Sequence, residues 1–280
     1  MEQVIPIPTL HLFARLDRLL IDLLVSLSPQ DWSKLTVARL WTVKDIAAHL
    51  LDGNVRCIAL LNGHEGPPPT DPINNYQDLV GYLNQLNATW VNAMKRMSPQ
   101  LLIQQLASTG AQSITYLESL KPFENAKHAV AWAGEETSLN WFHITREYTE
   151  RWHHQQQIRD AVGKPGILTK ELFYPCLDTF MYALPHTYRN VEADRGTIIK
   201  ITISGDAGGD WYLHKTIDKW IISKSLLHPG NADAEVIIDE DTSWRLFTKA
   251  ITPYAAMQKS IVTGDVNLSE DVFNTTAVMA

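Results

Sequence analysis

Only two of the 280 residues are cysteine, Cys57 and Cys176, far apart and outside any Cys-rich spacing. Neither a disulfide framework nor a thiolate metal cluster is expected from them. The chain has no run of lysine and arginine, and its net charge of −7 argues against a nucleic-acid-binding surface. No stretch approaches the ~18 uncharged apolar residues of a membrane span. The segment Met1 to Leu24 lacks a basic leader, and Arg15, Asp17, Arg18 and Asp22 break its apolar residues, so a signal peptide is not expected. Internal repeats and low-complexity tracts are absent. These gaps in the sequence predict a reduced, cytoplasmic protein, with no nucleic acid and no membrane among its partners.

An apolar fraction of 45% and a charged fraction of 20% suit a globular protein of one large or two modest domains. Leu12, Leu16, Leu19, Leu20, Leu23 and Leu24 recur at helical spacing and predict a first helix from about Thr9 to Leu27. A second opens at Thr42, whose side chain can cap it with Asp45 three residues on, and runs toward Leu61 and Gly63. A third is predicted from Tyr76 to Met97, with Leu79, Tyr82, Leu83, Leu86, Trp90 and Met94 as its stripe. Pro99 begins a short helix through Leu106, and the segment Ser108 to Gly134 reads as mixed turns and a short strand. A fourth long helix runs from Ser138 to Val162 and stops at Gly163-Lys-Pro-Gly166. The pattern then changes. Leu168 to Tyr188 is helical; Thr197–Ser204, Trp211–His214, Trp220–Ile222 and Ala234–Ile238 read as strands. Helices are expected at Thr242–Ala250 and Ser269–Val278. The fold class is therefore α+β: an antiparallel four-helix bundle over residues 1–166, then a small α/β domain over 167–280.

The chemistry sits on helices two and four. His49 shares the inward side of the second helix with Ile46, Leu50 and Gly53. On the fourth, Glu150 and His154 are four apart and so share one face. Two ligands from one helix and one from a facing helix is a common way to hold a metal in a bundle. The same helix offers rivals, His143 with Glu147 and Glu150 with His153, and spacing alone does not choose between His153 and His154. These charges also suit a solvated face. Two imidazoles and a carboxylate favour zinc, nickel or ferrous iron over calcium or magnesium. Three protein ligands leave a coordination position open, which is the catalytic arrangement.

Two stretches carry a family resemblance. Leu27-Ser-Pro-Gln-Asp-Trp32 followed by Trp41-Thr-Val-Lys-Asp-Ile-Ala-Ala-His49-Leu50 resembles the start of the mycothiol-dependent maleylpyruvate isomerase family, within the wider group of DinB-like metal-binding bundles. Glu150-Arg-Trp-His-His154, continuing through Ile158-Arg-Asp-Ala-Val-Gly163, resembles that family's Glu-x-Trp-x-His helix. The resemblance implies a DinB-like bundle with His49, Glu150 and His154 as metal ligands, zinc as the metal and a low-molecular-weight thiol as cofactor. It also implies a sterol-carrier-like second domain. There Asp239-Glu-Asp-Thr-Ser-Trp-Arg245 matches the strand-to-helix segment, and Arg245 is the candidate catalytic arginine. The chain departs from the family at Gln157, where an acidic residue is common.

The implied function is a metal- and thiol-dependent transferase or isomerase acting on a small electrophilic substrate, with anionic ones among the candidates. Mycothiol, bacillithiol and glutathione are the candidate thiols, and zinc or nickel the candidate metal. Arg245 would clamp a substrate carboxylate. One alternative is a hydrolase that activates water, with Glu147 as general base. Another is a metal or thiol sensor, or a small-ligand-binding protein. A monomer or homodimer is expected.

Overall fold

The computed structural model describes residues 3–227 and 230–279. Its contacts divide the chain into one unit of Met1–Lys127, Leu139–Ile167 and Met279–Ala280, and another of His128–Ser138 and Leu168–Val278.

In the first unit the leucine stripe forms α1 (Phe13–Val25), preceded by a 3-10 turn at Leu10–Leu12. The Thr42–Asp45 box opens α2 (Val43–Leu61): Asp45 N–H donates to the Thr42 hydroxyl, and Thr42 N–H donates to the Asp45 carboxylate at 2.9 Å. After α3 (Tyr76–Met94) come α4 (Pro99–Ser119) and α5 (Asn140–Val162). α5 ends on Gly163 at φ +67, a left-handed conformation that costs glycine little.

α2 packs on α3, α4 and α5, while α1 packs on α4 and α5. Side-chain ties set the directions. Asp17 meets Arg151 and the Leu19 carbonyl meets Arg159, so α1 and α5 run the same way. Lys44 reaches the Lys95 carbonyl just before α4, and Asn54 bonds Thr109 and Ser113, so α2 and α4 also run together. His49 meets His154, and Cys57 further along α2 feels Glu147 earlier on α5, so α5 runs opposite to α2. The bundle is thus two opposed pairs, with α3 as the return stroke between α2 and α4.

The segment from Ser108 to Gly134 corrects the expectation of mixed turns and a short strand. α4 does not stop near Leu106 but continues to Ser119. Its buried stripe is Leu102, Leu106, Gly110, Ser113 and Leu117. Glycine and serine in that stripe erase the apolar period by which a sequence announces a helix. The fourth member of the bundle is therefore α4, and the expected third helix is peripheral. α3 ends at Met94, and its predicted stripe is only half-buried because it packs chiefly on α2.

The second unit is α+β. Helices α6 (Lys170–Phe180) and α7 (Leu184–Thr187) precede a five-stranded sheet. β1 (Ile198–Ser204) pairs antiparallel with β2 (Gly209–Lys215) and parallel with β4 (Ala234–Asp239). β3 (Trp220–Ser223) and β5 (Ile261–Gly264) add antiparallel edges, giving the order β3-β2-β1-β4-β5. Ile199, Ile201 and Ile203 of β1 and Val236 and Ile238 of β4 are buried at period two, as the alternation predicted. β5 was not legible: it is four residues long and mostly exposed.

α8 (Glu240–Phe247) is capped by Asp239, whose side chain accepts from Thr242 N–H. α9 (Pro253–Met257) and α10 (Val266–Glu270) follow. No helix spans Ser269 to Val278; a 3-10 turn at Asp271–Asn274 ends the helical run, and Ala277 N–H donates instead to the Phe247 carbonyl. Among the described residues no helix is long and apolar enough to cross a membrane.

Candidate metal centre

α5 is an unusual helix for the centre of a bundle. His143, Thr149, His153, His154, Gln155, Gln156 and Gln157 are all buried in it, so the solvated face is not what forms. Burying polar groups is costly unless each finds a partner. A helix that keeps so many of them inside has been selected for something other than stability.

The i, i+4 geometry brings His154 Nε2 to 3.1 Å from Glu150 Oε2. α2, started in register by its capping box, places His49 opposite, with its ring 4.6 Å from that of His154. One ligating atom from each of His49, Glu150 and His154 lies within 4.8 Å of the other two. Among the described residues this is the only such cluster of three. The Trp41 ring stands beside both imidazoles, 5.0 Å from His49 and 6.2 Å from His154, centre to centre.

Tautomers follow from the bonds. Gln157 Oε1 lies 2.8 Å from His154 Nδ1. With the amide oxygen as acceptor, Nδ1 carries the proton and Nε2 keeps its lone pair. His153 aims Nδ1 at the Thr149 carbonyl, 2.9 Å away, and stays 3.8 Å from Glu150. His49 Nδ1 is buried with no hydrogen-bond partner among the described residues. That is the state expected of an imidazole whose partner is not a protein group.

The electrostatics suit a cation. Burial and the neighbouring His154 push the His49 pKa well below its usual value, so the ring is neutral near pH 7. Burial and His154 bring His153 down to about 4. Burial alone would raise the Glu150 pKa, but the close approach of the His154, His153 and His49 rings outweighs it and holds the carboxyl below the usual carboxylate range. A neutral His49 ring and an ionised Glu150 carboxylate are the protonation states a divalent ion requires of those two residues.

The other candidates sit differently. Arg146 Nη2 donates at 2.7 Å to both His143 Nδ1 and Glu147 Oε1. Burial works to raise the Glu147 pKa, and Arg146 with His143 overcomes it, so Glu147 is ionised. A carboxylate clamped by a guanidinium is a weak base, which removes support from Glu147 as a proton acceptor. Arg245 lies on α8 in the second unit; its Nε donates to Asp241 at 2.8 Å and its guanidinium stands 4.5 Å from the Trp244 ring centre. Trp41 and Arg146 were not singled out by sequence. A tryptophan next to a capping box carries no signal of its own, and Arg146 is legible only once His143 and Glu147 are seen to share its guanidinium.

A family model described as the mycothiol maleylpyruvate isomerase N-terminal domain matches residues 13–159, just over half of the chain. The chain belongs to that family. All three clustered residues fall inside the part of this maleylpyruvate isomerase-type bundle that the model covers. Among solved structures, the mycothiol-dependent maleylpyruvate isomerase is similar over 95% of this chain and 98% of its own, with 13% identity and a TM-score of 0.53. A histidine-to-alanine mutant of that isomerase matches over the same shares, with 13% identity and a TM-score of 0.54. At that identity the likeness is one of fold. A ubiquinone synthesis protein, UbiJ-SCP2, matches 40% of this chain and 95% of its own at 16% identity, and its TM-score of 0.26 is too low to carry an argument. Comparison with curated protein sequences finds no match.

Proposed function

We propose that the protein is a metal-dependent enzyme that uses a low-molecular-weight thiol to isomerise or transfer to a small electrophilic substrate. His49, Glu150 and His154 would hold one divalent ion, zinc before nickel. The observation that carries this reading is the convergence of those three side chains within 4.8 Å, in a chain of the maleylpyruvate isomerase family. Held by these three residues, such an ion would supply the means to lower the pKa of a small thiol and keep it as a thiolate near pH 7.

The protein's own groups set the conditions. Glu150 supplies one negative charge against the two positive charges of an ion, so the loaded site stays positive and favours an anionic thiolate over a neutral thiol. Gln157 fixes the His154 ring and its tautomer. His49 enters neutral, so no proton competes with the ion near pH 7. Arg245, whose Nε donates to Asp241, would bind a carboxylate of the substrate.

Purified protein should carry about one divalent ion per chain, and His49→Ala and His154→Ala should each lose it, read by elemental analysis. Consumption of an activated alkene should depend on added thiol, with mycothiol, bacillithiol and glutathione compared. Arg245→Ala should keep the metal and lose roughly tenfold or more in turnover of an anionic substrate, the scale of one lost charge-assisted contact. Full metal content in the double histidine variant would end the proposal. Turnover without any thiol would move it to the hydrolytic class.

A further inference from the structure

α2 carries a second polar side chain on the face that bears His49. Residues seven apart in a helix return to nearly the same side, about 10.5 Å further along the axis. Arg56 stands seven residues after His49, and Asp52 lies between them, about one turn from each. The Arg56 side chain is half exposed and that of Glu150, on α5, is 36% exposed, so both reach solvent. After burial and their nearer neighbours, His49 and Glu147 both feel the Arg56 charge. Glu147 is one turn before Glu150 on α5, which runs opposite to α2. The guanidinium is therefore on the α5 side of α2, beside the three clustered residues and in the same unit of the chain.

Arg56 is held lightly. Its Nε lies 3.2 Å from Asp52 Oδ2, and among the described residues no hydrogen bond engages Nη1 or Nη2. The other charged groups on this wall are occupied. Arg146 bonds His143 and Glu147, and Glu150 meets His154. A partly exposed i, i+4 pair such as Asp52–Arg56 adds little to stability, so it does not do much to hold α2 in place. The Nη edge of a guanidinium presents two parallel N–H donors, the pattern that a carboxylate accepts with both oxygens.

We propose that Arg56 positions the carboxylate of a small molecule seated at the metal centre, so that the bundle selects an anion with an arginine of its own, apart from Arg245. This rests on the proposed metal centre and names what that site takes. The carboxylate belongs either to the thiol or to the electrophile, and the same two donors recognise it in both. Asp52, on Nε, leaves that edge free. A lysine here would keep the charge and lose the paired donors.

The test uses the full chain loaded with cobalt(II), whose thiolate charge-transfer absorption reports a thiol on the ion. 3-Mercaptopropionate is titrated against its neutral counterpart, 3-mercaptopropionamide. With 2-mercaptoethanol already bound, crotonate is then titrated against crotonamide, read by the visible cobalt spectrum. In at least one pair the acid should bind roughly tenfold more tightly, the scale of one charge-assisted contact, and the pair shows which reactant carries the carboxylate. Arg56→Ala should keep its cobalt and its affinity for the amide while losing the preference for the acid, and Arg56→Lys should recover only part of it. Adding Asp52→Asn to Arg56→Ala should not restore the preference, since the loss comes from the missing donors and not from a freed Asp52 charge. A chain that takes up no cobalt ends the metal reading and this role with it. Cobalt bound normally, with acid and amide equal in both pairs or with the preference intact in Arg56→Ala, overturns the role of Arg56 alone.

Discussion

At the scale of single residues, Gln157 is the partner that orients a proposed metal ligand. Its side-chain oxygen holds His154 Nδ1 at 2.8 Å, so it orients the ring as a carboxylate would, but without a charge. A neutral acceptor makes the imidazole a less basic ligand than an acidic one does. Gln157→Leu should weaken metal binding by about 10- to 100-fold, the usual loss when such a partner is removed, as read by competition with a chelator. Gln157→Glu should bind at least as tightly as wild type. Unchanged affinity in the leucine variant would show that His154 needs no orienting partner.

At the scale of elements, α2 and α5 show two ways of specifying a helix. α2 is set by its ends and its apolar face. The Thr42–Asp45 box fixes where it begins, and Val43, Ile46, Ala47 and Leu50 bury one side. His49 inherits its position from that start. Thr42→Ala should therefore cost about 1 kcal/mol of stability in denaturant unfolding, with metal stoichiometry retained because the packing of α2 persists. A loss of metal along with the cap would mean that the box positions His49 more directly than packing does. α5 is set by its C-terminal glycine and by burial of polar side chains, so its amphipathic signal is weak. Its existence was legible from the Gly163 stop, whereas its central, buried location was not. α4 was the converse case, a bundle member misread because Gly110 and Ser113 occupy its inner face.

At the scale of the molecule, stability should depend on two buried thiols. Burial, with Glu147 adding, pushes the Cys57 thiol up to about 12, and burial raises Cys176 well above its usual value. In the unfolded chain both would ionise near ~8.5. The folded state holds these protons longer, so the stability they contribute is intact below that pH and is lost as pH rises toward 12. The melting temperature should fall as pH climbs above about 9, and less steeply in a Cys57→Ala, Cys176→Ala double variant. Native protein at pH 8 should resist iodoacetamide, and denatured protein should react at both positions. Rapid alkylation of the native chain would contradict their burial. What the sequence determined by itself is local: the leucine stripe of α1, the box that starts α2, the four-residue spacing of Glu150 and His154, and the alternation of β1 and β4. Each follows from the fixed period of a helix or strand, which a short stretch of chain contains in full. What only the tertiary structure decided is which surfaces meet. It set His49 against His154, turned His153 to a backbone carbonyl, drew α4 into the bundle and left the buried Gln155 amide without a partner among the described residues. Those outcomes depend on residues tens of positions apart closing on one another, and no local period encodes that distance.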